Sequence, residues 1–293
     1  MALSYRETVL ATNPVSYWRL GEASGTVAAD EMGANNGTYV NAPTLGTAGL
    51  LTGDSDTAVA FARVSSQYVD LPAAVTIPNT ASLSVWFKRG ALQGAAQALI
   101  SAGWGRYLLG FRVDDRIVYE GLAIGEIFVS TNPLTNTNPH HLVMTYDGAT
   151  SVAYLDGAVL SGAHTIADAA VGGLDVFIGA SNDFDGSGFT ALQWFDGTID
   201  EPAIWNRVLS ADEVATLYAA GTIPSLDRDA IALHDRCLAL GMPQEMAVQY
   251  LTARATLPNT PYALLFTKAI LLFDEKFWTS NEILSMLRRT YQV

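Results

Sequence analysis

Residues His140 to Leu160, HHLVMTYDGATSVAYLDGAVL, constrain the fold more than any other stretch of the chain. Apolar residues recur at every second position, and Asp147-Gly148 and Asp156-Gly157 break the runs. A period of two puts alternate side chains on opposite faces of a strand, and Asp-Gly supplies the backbone freedom of a tight hairpin turn. The stretch therefore reads as antiparallel hairpin with one buried face per strand, and not as helix.

The same grammar runs through 56–62, 67–72, 81–89, 97–103, 106–113 and 116–123, short β-branched or aromatic runs separated by Gly, Asp, Asn and Pro. It predicts a two-sheet antiparallel sandwich. In 81–89, Leu83, Val85 and Phe87 share a face assigned to the core, with Ser84, Trp86 and Lys88 on the other. Trp18, Trp86 and Trp205 sit in strand-like patterns and are assigned to the interior. The period changes at Ser210-x-x-Glu213, a capping box opening a helix with Gly221 as its stop. Val214, Leu217 and Tyr218 form a stripe expected to cover an open end of the sandwich. Residues 222–225 read as a linker.

The 140–160 stretch resembles the central hairpin of laminin-G-like, concanavalin-A-like jelly-roll modules. NPVSYWRLGEASGTVAADEMGANNGTY, Asn13 to Tyr39, resembles their leading segment, and FDGTIDEPAIWNRVLSADEVATLYAAG, Phe195 to Gly221, their exit strand and closing helix. Pro139 stands where the family often has Trp. The resemblance implies a mainly β protein, a concanavalin-A-like two-sheet jelly-roll sandwich over residues 1–222. A small α-helical domain follows over 223–293.

In that second part Asp227 can cap a helix to Leu240, Pro243 and Pro261 can open two more, and Thr279-x-x-Glu282 is a capping box for a fourth. Residues 226–293 hold seven basic and seven acidic side chains, so the net charge of -13 lies in 1–225. An acidic β module repels phosphates, which excludes nucleic acid as a partner. The longest apolar stretch, Tyr262 to Phe273, is interrupted by Lys268 and falls short of the roughly 20 residues that span a bilayer. The start, MALSYRETVLATNP, lacks the regions of a secretory signal, so folding in a cytoplasm is expected. The single Cys237 excludes an intrachain disulfide and reads as a small buried hydrophobe.

Loops supply the candidate chemistry. Glycan contacts need aromatic faces and hydroxyl acceptors, found at Trp104 and Tyr107, at Asn182, Asp183, Phe184, Asp185 and Phe189, and at Trp194. Calcium takes oxygen ligands from Asx-rich loops, and the resemblance implies a structural ion at Asp30, Asn35 and Asp200. No cofactor is required. Hydrolysis needs two carboxylates across the scissile bond. The nearest match, Asp196-Gly-Thr-Ile-Asp200-Glu201, holds an adjacent pair expected on opposite strand faces. The four His show no metal-ligand spacing, and His141 is expected to be structural.

The expectation is a non-enzymatic virion structural protein, a head decoration, fibre or tail appendage assembled in the host cytoplasm. Its sandwich would display a glycan-binding surface, and residues 226–293 would bind capsid or tail proteins or form homo-oligomers. The virus setting comes from the resemblance, since such modules occur often in bacteriophage virion proteins. The alternatives are a cellular carbohydrate-binding or adhesion protein and, behind it, a glycoside hydrolase.

Overall fold

The computed structural model describes residues 3–78, 80–91, 94–102, 107–121, 125–164, 175–184 and 189–222. Leu3–Thr222 is one compact unit, and the helices expected after Ser225 lie outside the described residues. The 140–160 stretch forms the strands His140–Tyr146, Ser151–Leu155 and Ala158–Val159, paired antiparallel. Asp147 turns the first corner, its Oδ1 accepting the N–H groups of Ala149 at 2.8 Å and Thr150 at 2.6 Å. Asp156 and Gly157, both at positive φ, turn the second, as Asp-Gly favours.

The first sheet continues from His140–Tyr146 to Ala81–Arg89, then Gly197–Trp205, Thr57–Phe61 and Thr44–Ala48, with Ser16–Tyr17 also on Gly197–Trp205. The second runs Gly162–His164, Gly125–Pro133, Arg116–Gly121, Tyr107–Phe111, Gln97–Ala102, Val176–Ile178, Tyr68–Asp70, Gly37–Val40 and Val27–Ala28. A ribbon, Ser181–Phe184 with Phe189–Leu192, stands beside it. Mainly β, with its sheets face to face, the unit is the sandwich the alternation predicts.

Alternation also decides what lies between the sheets. Leu83, Val85, Phe87, Leu142 and Met144 from the first join Leu99, Leu109, Val176 and Ile178 from the second in one buried cluster with Trp18. Phe87 meets Phe111 edge to face across the interface, at 5.4 Å between centroids. Arg89 is buried too. Its guanidinium contacts Asp115 Oδ1 at 2.5 Å, donates to the Leu134 carbonyl at 3.1 Å and lies 4.3 Å from the Phe111 ring centroid. A buried cation needs such partners, and these join the rims of the two sheets.

The other face of the first sheet is covered as well. Tyr5 and Val9 of the helix Tyr5–Ala11, with Val214, Leu217 and Ala220 of the helix Ala211–Thr222, pack on Trp86, Val143, Tyr154, Ala203 and Trp205. Both helices open with a reciprocal Ser-Glu cap. Ser4 N–H donates to Glu7 Oε2 at 2.7 Å and Glu7 N–H to Ser4 Oγ at 3.2 Å, and Ser210 and Glu213 repeat the pattern. The closing helix thus lies across a sheet face and not over an open end, because Trp86, Val143 and Tyr154 give that face apolar surface to bury.

Gly221 does not stop that helix, which runs on to Thr222. A Cβ there would fall inside contact distance of Trp86 Cζ2 and 2.9 Å from Leu51 Cδ2. Its role is close approach to the sheet. On an exposed helix Gly→Ala stabilises by about 1 kcal/mol. Here Gly221→Ala is expected to destabilise by about 1–3 kcal/mol through overpacking, seen as a lower urea midpoint at unchanged slope. A midpoint at or above that of the unaltered protein would refute the contact.

Candidate functional site

The exit strand carries a cluster of ionisable side chains, Asp200 and Glu201 with Arg19, Asp54 and Asp56. Against Ala81–Arg89 its register shifts between Asp200, opposite Trp86, and Ala203, opposite Ser84. Glu201 and Pro202 therefore share the single partner Val85, a β-bulge, with Glu201 at φ 56°. A bulge restores the alternation one residue late, so neighbours in sequence can share a face. The two carboxylates expected on opposite faces instead crowd together on the outer face of the first sheet. Glu201-Pro202 was the available signal, since proline inside a central strand is confined to bulges.

The surroundings of the pair are specific. Glu201 Oε1 accepts from Arg19 Nε at 3.0 Å and Nη2 at 2.9 Å, and Oε2 accepts from the Tyr17 hydroxyl. Arg19 also meets Asp54 at 2.8 Å and Asp56 at 3.0 Å. Asp200 Oδ2 accepts the Leu50 N–H at 2.8 Å, while its buried Oδ1 has no partner. Burial pushes the Asp200 carboxyl up to about 7, with Asp56 adding to the rise. Burial and then Asp200 push Glu201 up to about 8. A glycosidase pair must reach both sides of a glycosidic bond, yet Asp200 is 2% and Glu201 0% exposed. The group clamps the chain, and its acids are sealed from substrate.

Asp30, expected to bind calcium, turns its carboxylate to the backbone. Oδ1 accepts from Tyr17 N at 2.9 Å and Met32 N at 3.1 Å, and Oδ2 from Ala34 N at 3.3 Å and Asn35 N at 3.0 Å. Four donors occupy the roughly four lone-pair sites of a carboxylate. Asn35 gives its amide N–H to Ser16 Oγ at 2.7 Å. Asp200 lies in a group already holding a guanidinium. These side chains do not fit a calcium ion, and among the described residues no group of three or more His, Cys, Asp or Glu is arranged to hold a metal.

His140 bridges Asp156 at 2.7 Å and Asn136 at 2.8 Å. His141, fully buried, stacks on Trp86 at 4.9 Å and pairs with Ser84 Oγ at 2.8 Å. Burial pulls its pKa down to about 3. It is a neutral structural ring.

Of the expected glycan contacts, those among the described residues lie on elements beside Gln97–Ala102. Tyr107 opens the neighbouring strand opposite Ala102, while Asn182, Asp183, Phe184 and Phe189 lie in the ribbon. The ribbon is tied down by Ser101 Oγ donating to the Ala180 carbonyl at 2.7 Å and Ala98 N–H to the Gln193 carbonyl at 2.8 Å. Trp104 and Asp185 lie outside the described residues. At the ribbon base Trp194 is half-buried. There Gln97 Nε2, Gln193 Oε1 and Trp194 Nε1 are buried without hydrogen-bond partners. The Gln97 amide is oriented by Asp196 N–H donating to its Oε1 at 3.3 Å. Sequence reasoning missed both glutamines, whose types carry no motif.

Residues 63–215 match the sequence profile of the concanavalin A-like lectin/glucanases superfamily. No curated protein matches in sequence. Among solved structures the chain is similar to the sialidase of Trypanosoma rangeli in complex with sialic acid, at 17% identity and a TM-score of 0.52, over 71% of this chain and 33% of that one. It is also similar to domain 4 of an extracellular arabinanase from Geobacillus stearothermophilus in complex with arabinotriose. Identity there is 16% and the TM-score 0.52, over 70% of this chain and 98% of that one. The chain thus spans about a third of the sialidase and nearly all of the arabinanase domain.

The buried acids make stability depend on pH. Asp200 and Glu201 titrate higher folded than unfolded, so from about pH 4.5 to about pH 8 these two groups hold more protons in the folded state, partly offset below about pH 6.5 by buried His141, which holds fewer. Stability must fall as pH rises through that window. The urea midpoint is expected to be higher near pH 5 than near pH 8.5, and Asp200→Asn should flatten the slope. An unaltered slope in that variant would show that the pair does not hold the proton.

Proposed function

The chain belongs to the concanavalin A-like lectin/glucanases superfamily, and from that premise we propose that its sandwich is a non-catalytic carbohydrate-binding module. One observation carries the reading. The half-buried Trp194 lies at the base of the ribbon that bears Asn182, Asp183, Phe184 and Phe189, so an aromatic residue and the expected polar residues share one ribbon. An aromatic residue next to amide and carboxylate residue types suits a saccharide, whose C–H face stacks and whose hydroxyls both donate and accept. The relatives crystallised with sialic acid and with arabinotriose support a saccharide as the ligand class. Against hydrolysis stands the sealing of Asp200 and Glu201 by Tyr17 and Arg19.

Display on a virus particle belongs to the same proposal. Sites built from a few exchanged hydrogen bonds, each a net gain of about 0.5–1.5 kcal/mol, are weak singly, and many copies compensate by avidity. Residues 226–293, charge-balanced and rich in apolar side chains, would attach the module to capsid or tail proteins or to its own copies.

The test is a glycan array probed with a multivalent form, beside a Trp194→Ala variant and an Asp200→Asn, Glu201→Gln variant. Binding is expected for the unaltered protein, weakened about tenfold by Trp194→Ala and kept by the carboxylate variant, with no new reducing ends released. Turnover of a polysaccharide that Glu201→Gln abolishes would return the protein to the hydrolases. Particle attachment is read separately, by whether the full chain co-sediments with virions and a chain ending at Thr222 does not.

A further inference from the structure

The outward face of the second sheet carries a row of side chains that the core does not use. Alternation sends Tyr39, Val69, Val176 and Ile178 into the buried cluster and turns Thr38, Tyr68, Asp70 and Phe177 outward. Register aligns three of these, with Thr38 opposite Asp70 and Asp70 opposite Phe177. Thr38 and Asp70 are exposed and Tyr68 is half-buried, its ring edge-on to Phe177 at 5.1 Å. Phe177 is itself buried, so it props the tyrosine. Asp175, just before that strand, lies near enough to raise the Asp70 pKa after burial has done so. Among the described residues neither carboxylate has a basic partner. The row adjoins the ribbon base, since Phe177 is opposite Ser101, which bonds to Ala180.

We propose that this row is a saccharide subsite selecting neutral or amino sugars over anionic ones. It rests on the carbohydrate-binding reading above. Tyr68 offers a ring held upright by Phe177 for the C–H face of a sugar. Asp70 and Asp175 have only acceptors to offer, so they take hydroxyl or ammonium hydrogens. Thr38 can do either. Two neighbouring carboxylates repel a third, so sialic or uronic acids are disfavoured by charge, while a ligand that donates hydrogens relieves their mutual repulsion.

The full chain, in multivalent form, is tested on an array holding neutral, glucosamine-type and sialylated saccharides. The unaltered protein is expected to prefer the first two by about tenfold or more. Tyr68→Ala and Asp70→Ala should each weaken that binding about tenfold, and Tyr68→Phe should retain it. Asp70→Asn with Asp175→Asn should narrow the discrimination against sialylated ligands, which loss of a merely structural residue would not do. Melting curves confirm that each variant folds. Neutral-sugar binding untouched by Tyr68→Ala and Asp70→Ala would overturn this subsite and leave the module a lectin. A preference for sialylated ligands would overturn the selectivity. Binding to no saccharide at all would remove the carbohydrate reading, and this subsite with it.

Discussion

Arg19, on the leading segment, meets Glu201 of the exit strand at 2.9 Å and Asp54 and Asp56 of an intervening loop at 2.8 and 3.0 Å. One guanidinium thus fixes three stretches far apart in sequence. The loop is pinned a second time by Asp200, which accepts from Leu50 N–H. Glu201 is fully buried, so removing Arg19 would leave its carboxyl oxygen without that partner, at a cost of about 1–3 kcal/mol. Four acids around a single base would repel one another. Raised carboxyl pKa values relieve the excess by retaining protons at neutral pH.

Covering the outer face of the first sheet has a consequence for the second. Trp86, Trp205 and Tyr154 lie under two helices, and Trp18 lies between the sheets, so none offers a ring to solvent. On the outward side of the second sheet Thr38 and Asp70 stay exposed, while Ala98, Leu108, Val118 and Val129 form a buried cluster of their own.

The alternation at 140–160 and 81–89 made the sandwich legible, because only an extended strand returns a side chain to the same face at every second residue. Ser210-x-x-Glu213 located the closing helix for a similar reason. The same signature at Ser4-x-x-Glu7 precedes a single two-turn helix, too short to show an apolar period, and so passed unread. The bulge at Glu201 was hidden because face assignment by alternation assumes no inserted residue, although Pro202 marked the place. Gly221 fits a helix stop and a close contact equally well until the neighbouring element is known, and Trp86 is 135 residues away in sequence. Asp30 is held by four backbone N–H groups, three from its own loop and one from Tyr17, and no residue type announces that set in sequence. Gln97 and Gln193 could not be found from sequence, since what singles them out is a missing partner.

The exit strand Gly197–Trp205 lies between Ala81–Arg89 and Thr57–Phe61, so the last strand among the described residues is an interior one. Until it emerges, those two strands each present an unpaired edge, and the bulged acids have not met Arg19. Contacts of this sequence separation close slowly, and unpaired edges recruit other chains. The nascent module must therefore wait, exposed, for almost its whole length before it can close. Its hazard is greatest during synthesis, and crowding of neighbouring nascent chains on one messenger would raise it further.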